Sequence, residues 1–89
     1  MIIIEVKTKD GKLIRLPEKQ WKHIRYRHPE ISLDGIEDTI VNPTARIQYS
    51  DDITKFYKFI KREKKYVMVA VKILNGDGFV ITAYKTKRI

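Results

Sequence analysis

Residues 66–84 read YVMVAVKILNGDGFVITAY, two apolar runs joined by Asn75-Gly76-Asp77-Gly78. Val, Ile, Phe and Tyr suit a pleated, half-buried surface, and the Asn/Gly-rich step between the runs is a hairpin signal. Asn is favoured at the first position of a type I turn and Gly at the fourth, so the spacing predicts a three-residue loop closed by a left-handed bulge. That loop pairs Asn75 with Phe79, Lys72 with Thr82 and Ala70 with Tyr84. One sheet face would carry Met68, Ala70, Lys72, Val80, Thr82 and Tyr84. The other would carry Val67, Val69, Val71, Ile73, Phe79, Ile81 and Ala83, an apolar set expected to lie under helices. A loop one residue shorter or longer mixes polar and apolar groups on both faces, which burial of either would penalise. A lysine, a hydroxyl and a phenol would then share the open face; the plainer reading is that all three simply solvate it.

Outward from this hairpin, the period of the rest of the chain is also legible. Residues 1–7 alternate partly, Asp10-Gly11 is a turn signal, and Leu13–Leu16 returns as a second strand. Pro17 opens a helix with Trp21 and Ile24 on one face, and Pro29 ends it near His28. A second helix is signalled by Ser32 or Asp34 as cap and by Ile36 and Ile40 on its buried face, and Asn42-Pro43 stops it. Strands follow over 45–49, 54–60, 66–74 and 79–84. The expected class is α+β: an N-terminal β-hairpin (1–16), two helices (17–42), then a four-stranded antiparallel sheet (44–89) with the helices packed on one face, all in a single domain, 1–89.

Composition narrows the function. In 89 residues there are 19 Lys and Arg against 11 Asp and Glu, a net charge of +8, and no cysteine. One modest core is expected, with no disulfides and no thiolate metal site; two histidines alone do not close a zinc site. No cofactor is implied. The apolar opening Met1-Ile2-Ile3-Ile4 is broken by Glu5 and Lys7, too short for a signal core or a membrane span, which points to a cytoplasmic protein with no membrane partner. The basic excess falls in Arg15–Arg27, Lys55–Lys65 and Lys85–Arg88 and the acids gather over Glu30–Asp38, a pattern that attracts polyanions, RNA first. A heat-adapted surface would instead carry matched acids.

Both histidines lie in His23-Ile24-Arg25-Tyr26-Arg27-His28-Pro29-Glu30. His23 and Arg27 stand at i, i+4, where a base and a fixed cation reach one ligand. Histidine titrates near neutrality and serves as general acid or base. The competing readings are a solvated surface His23 and a His28 that bonds terminal helix carbonyls.

The pattern Trp21-x-His23-Ile24, then Arg27-His28-Pro29-Glu30, Ile40-Val41-Asn42-Pro43, Val69-Ala70-Val71-Lys72 and Ile81-Thr82-Ala83-Tyr84 resembles the phage and toxin branches of the barnase/EndoU/colicin/RelE-like nuclease superfamily. The resemblance covers residues 21–89 and implies helices followed by a four-stranded antiparallel sheet, with metal-independent RNA cleavage on the open face. It implies His23, His28, Lys72, Thr82 and Tyr84 as catalytic residues. Arg25, Arg27, Lys55, Lys58 and Tyr57 are the expected RNA contacts, and RNA, with an acidic antitoxin or inhibitor protein, the expected partners. Two alternatives stand beside the nuclease: a non-catalytic RNA-binding module in which Tyr57, Phe59, Tyr66 and Tyr84 interleave with Lys55, Lys58 and Lys72, and a toxin-like protein-interaction domain.

Overall fold

In the computed structural model, which describes residues 1–89, the elements run β1 (Ile2–Lys7), β2 (Leu13–Pro17), α1 (Glu18–Arg27), α2 (Leu33–Val41), β3 (Ala45–Gln48), β4 (Ile53–Ile60), β5 (Lys65–Leu74) and β6 (Asp77–Thr86). The punctuation follows local chemistry. Pro17, with φ −67°, caps α1, and Arg25 and Arg27 sit in its last turn, favourably placed against the helix dipole. Of the two cap candidates for α2 the structure uses Ser32, whose Oγ accepts the Gly35 N–H at 3.0 Å, and Asp34 falls in the first turn.

The sheet departs from expectation. It has six strands, in the order β1-β2-β6-β5-β4-β3, and it is mixed rather than antiparallel. Over Leu13–Arg15, β2 pairs in parallel with Asp77–Phe79 of β6, so the N-terminal hairpin is an integral part of the sheet. The physical reason is burial: Ile14, Leu16 and Ile4 are apolar and bury completely or nearly so when the hairpin joins the edge of β6. Gly78 permits the close approach, since a Cβ there would stand 2.8 Å from the Lys72 carbonyl oxygen and 3.0 Å from Ile14 Cδ1.

The β5–β6 turn also corrects the expected register. Asn75 (φ 54°) and Gly76 (φ 87°) are both left-handed, so they form a two-residue, type I′ turn that sets Leu74 opposite Asp77. Lys72 therefore faces Phe79 rather than Thr82, and Val71 faces Val80. Ala70 faces Thr82 and Met68 faces Tyr84, because Ile81 is an extra residue in a β-bulge. The shorter loop alone would have carried polar side chains into the core further along the strand, and the bulge reverses the alternation midway so that Val80 and Ala83 both bury. Val80 thus belongs under the helices, and Phe79 and Ile81 belong to the open face.

Both helices feed one core. Ile24 of α1 and Ile36 and Ile40 of α2 pack with Phe56, Val69, Val71 and Val80, and Trp21 closes over them half-buried. Ile81, expected in this layer, lies instead in a second cluster on the opposite face. Beyond the core, Asp10 in the β1–β2 loop accepts from Thr8 Oγ1 and from Arg46 Nη1 of β3 at 3.0 Å, joining loop and strand from opposite margins of the sheet. Those hydrogen bonds, first from Thr8 and then from Arg46, hold the Asp10 carboxyl well below the usual carboxylate range. Neither helix is long and apolar enough to cross a membrane.

Candidate functional site

Residues paired across the ladders share a face, so the register lays out the helix-free surface in rows. Phe59, Tyr66 and Thr86 form one row, Tyr57, Met68 and Tyr84 the next, then Lys55, Ala70 and Thr82. Across the next step lie Ile53, Lys72, Phe79 and Arg15. Aromatic rings cover the middle of this surface. Met68 is only 1% exposed although no helix lies over it, and it is packed with Tyr57, Tyr66 and Tyr84. Tyr66 stands edge-on to Tyr57 at 6.2 Å and tilted to Phe59 at 5.1 Å between ring centroids. Lys55 Nζ lies 4.0 Å from the centre of the Tyr49 ring.

Helix α1 borders this surface along β6. Beyond Phe79, β6 has no strand neighbour on the β2 side, and Gln20 Nε2 donates to the carbonyl of the bulged Ile81. Gln20, His23 and Arg27 are spaced i, i+3, i+7 and fall on one helical stripe, so the pinned Gln20 aligns His23 and Arg27 with the β6 margin. At the far end of α1, His28 takes the C-cap position because Pro29 forbids a further turn, and its backbone N–H donates to the Ile24 carbonyl at 2.7 Å. The half-buried His28 ring lies 5.5 Å from the Tyr84 ring, and its Nδ1 is 3.8 Å from a Glu30 carboxylate oxygen.

Charge is divided unevenly between the two ends of the sheet. The β4–β5 turn and the end of β6 lie together, and there Lys61, Arg62, Lys64, Lys65, Lys87 and Arg88 have no acidic partner. Glu63, the one acid of that turn, is held by Lys85 at 2.7 Å, which lowers its pKa. At the Asn75-Gly76 end the cations are mostly matched: Arg15 with Glu5 at 2.8 Å and Asp77 at 3.7 Å, Lys72 with Asp52 at 3.6 Å, Lys12 and Arg46 with Asp10.

Of the expected site residues, Lys72, Thr82, Tyr84, Lys55 and Tyr57 share the open face, and His28 meets it through Tyr84. His23 and Arg27 are exposed along its margin. Arg25 is exposed but lies off their stripe. Lys58 does not join them: it points to the helix-covered side, 3.6 Å from Asp38, and donates to the Asn42 carbonyl at 3.0 Å. Gln20 and Phe79 were not anticipated. A type I′ reading of Asn75-Gly76 would have found Phe79; nothing local signals Gln20. Comparison with protein-family models, with curated proteins and with solved structures finds no match to this chain.

Proposed function

We propose that the protein is a metal-independent endoribonuclease that uses the substrate's own 2′-hydroxyl as nucleophile, in the manner of the barnase/EndoU/colicin/RelE-like superfamily, acting on RNA in the cytoplasm. The observation that carries this reading is the His28 ring seated against Tyr84 at the most basic end of an aromatic sheet face. One histidine takes the 2′-proton as the oxygen attacks phosphorus, the bond from phosphorus to the 5′-oxygen breaks, and the other histidine returns a proton to that oxygen. His28 is in contact with the face, and His23 borders it from α1. Arg27 and Lys55 offset charge gathering on the phosphorane oxygens, with Thr82 and Tyr84 orienting the phosphate, and Lys72, shared with Asp52 at the other end of the face, contributes less.

Pure protein incubated with mixed cellular RNA in chelator tests this. Products ending in 2′,3′-cyclic phosphate are expected, with single-stranded DNA bound but intact. Cleavage that requires added metal, or that survives loss of both histidines, refutes the mechanism.

The packed group of Tyr57, Phe59 and Tyr66 beside Lys55 favours a second reading, a module that stacks single-stranded RNA without cutting it. Binding alone needs neither histidine. Unchanged RNA affinity in a His28→Ala protein, together with no cleavage by the parent protein, would select this reading.

A further inference from the structure

Three large apolar side chains stand bare at the Asn75-Gly76 end of the open face: Ile2 is 46% exposed, Leu74 52% and Phe79 44%. With Pro17 they wall a cleft of about 310 Å³, edged by Arg15, Lys72 and Asp77. The N-terminal hairpin supplies Ile2, Arg15 and Pro17, and β5 and β6 supply the rest. Scattered apolar side chains on a surface are ordinary, whereas a contiguous set rimmed by polar groups marks a contact site.

The charges around the patch decide what it meets. A chain carrying +8 repels its own copies at long range, and the β4–β5 turn with the end of β6, where the one acid is already held by Lys85, offers a second copy nothing to pair with. The cleft end carries both signs. Arg15 lies between Glu5 and Asp77, at 2.8 and 3.7 Å, and Lys72 is 3.6 Å from Asp52. In a two-fold contact a patch meets itself, so its carboxylates need cations from that same patch, and Arg15 and Lys72 supply them. Asp77 stands beyond hydrogen-bond distance of its own Arg15, which leaves its acceptors for a donor across the contact.

We propose that this patch is the contact of a symmetric homodimer, with Leu74 and Phe79 of each copy packed on the apolar wall of the other and Asp77 turned toward Arg15 of the second copy. The contact does not depend on the RNA reading. Measured along β6 at about 3.3 Å per residue, Phe79 lies roughly 16 Å from Tyr84, so the dimer presents two His28 ends outside its interface. With so few apolar groups it belongs among weak, concentration-dependent associations.

Sedimentation equilibrium of the intact chain, freed of nucleic acid, tests this between about 10 μM and about 1 mM. The mass should rise from 10.6 kDa toward twice that value, and rise further as salt is added, because screening removes the repulsion between two +8 copies. Amide shifts that change on dilution should fall on Ile2, Arg15, Leu74, Asp77 and Phe79. Leu74→Lys, which sets like charges across the contact, should weaken the dimer by at least about tenfold, and Phe79→Ala by about five- to fiftyfold. Phe59→Ala removes a similarly exposed ring at the other end and should leave the dimer as it is. The amide spectrum of each variant reports whether the fold is kept. A monomer at every concentration, or a dimer indifferent to both Leu74 and Phe79, overturns the proposal. So does an association that dissolves with salt, the mark of a head-to-tail contact between the cations of the His28 end and Asp34, Glu37 and Asp38 along α2. The stated dimer in a protein that neither binds nor cuts RNA leaves the interface standing and removes the proposed function.

Discussion

The two ends of the helix-free surface are built from the same strands and differ in how their charges are used. At the His28 end, every cation of the β4–β5 turn and the end of β6 except Lys85, which holds Glu63, stands without an acid, beside aromatic rings and a half-buried imidazole. At the Asn75-Gly76 end, Arg15, Lys72, Lys12 and Arg46 are each matched to a carboxylate, and bare apolar side chains line a cleft. Unmatched charge acts at a distance on a polyanion, whereas matched charge leaves shape and hydrogen-bond pattern as the means of recognition. Net charge alone hides this division, because +8 is the sum of both ends.

The largest expected effect tests which end holds the chemistry. His28→Ala should lower the single-turnover cleavage rate by about 10²–10⁴ with RNA affinity little changed. Lys72→Ala should lose less, since Asp52 already shares that charge. The reverse order, measured on the same oligonucleotide, would move the reacting phosphate to the cleft end.

Affinity should divide in the same way. Replacing Lys61, Lys64 and Lys65 together with Ala should flatten the log-log salt dependence of RNA binding by about 2, at roughly 0.7 per lost phosphate contact. Replacing Lys12 and Arg46, both matched to Asp10 at the other end, should leave the slope nearly as it was. Equal losses from the two sets would dissolve the contrast.

Acid stability probes the matched end alone. The Asp10 carboxyl titrates lower when folded than when unfolded, so its contribution is complete above the unfolded value near 4 and fades as pH falls toward the folded one. Asp10→Asn should therefore be less stable than the parent at neutral pH and show a weaker loss below pH of about 4 in thermal melts. Parallel melting profiles for the two proteins would remove Asp10 from the account. The smallest effect expected is at the turn itself. Asn75 holds a left-handed φ of 54°, and Asn75→Ala should lower stability by about 1 kcal/mol in denaturant titration, with no change in RNA cleavage.

Local chemistry made most elements legible before their arrangement. Pro17, Ser32 and Pro29 bound the helices, and the valine alternation of β5 assigns Val67, Val69 and Val71 to the core. The same alternation put Lys72 on the open face. The bulge at Ile81 was illegible, because it answers a conflict between turn geometry and burial that neither strand states alone. The parallel pairing of β2 with β6 was equally hidden: it joins residues more than sixty positions apart, and only tertiary burial of Ile14 and Leu16 favours it. At the site, the face of Tyr84 was legible from strand alternation but its contact with His28 was not, and Lys58 was misplaced by reading charge without strand parity.

The position of β6 in the sheet also sets an order of events during synthesis. It lies between the first hairpin and the β3–β5 meander, yet it leaves the ribosome after all of them. Until Phe79 has emerged, β2 has no parallel partner, and the cleft that Phe79 walls does not exist. Until Tyr84 follows, His28 has no ring to pack against. The nascent chain thus carries its histidines and most of its basic residues long before it has a surface on which to use them, and both ends of that surface are completed by one late strand.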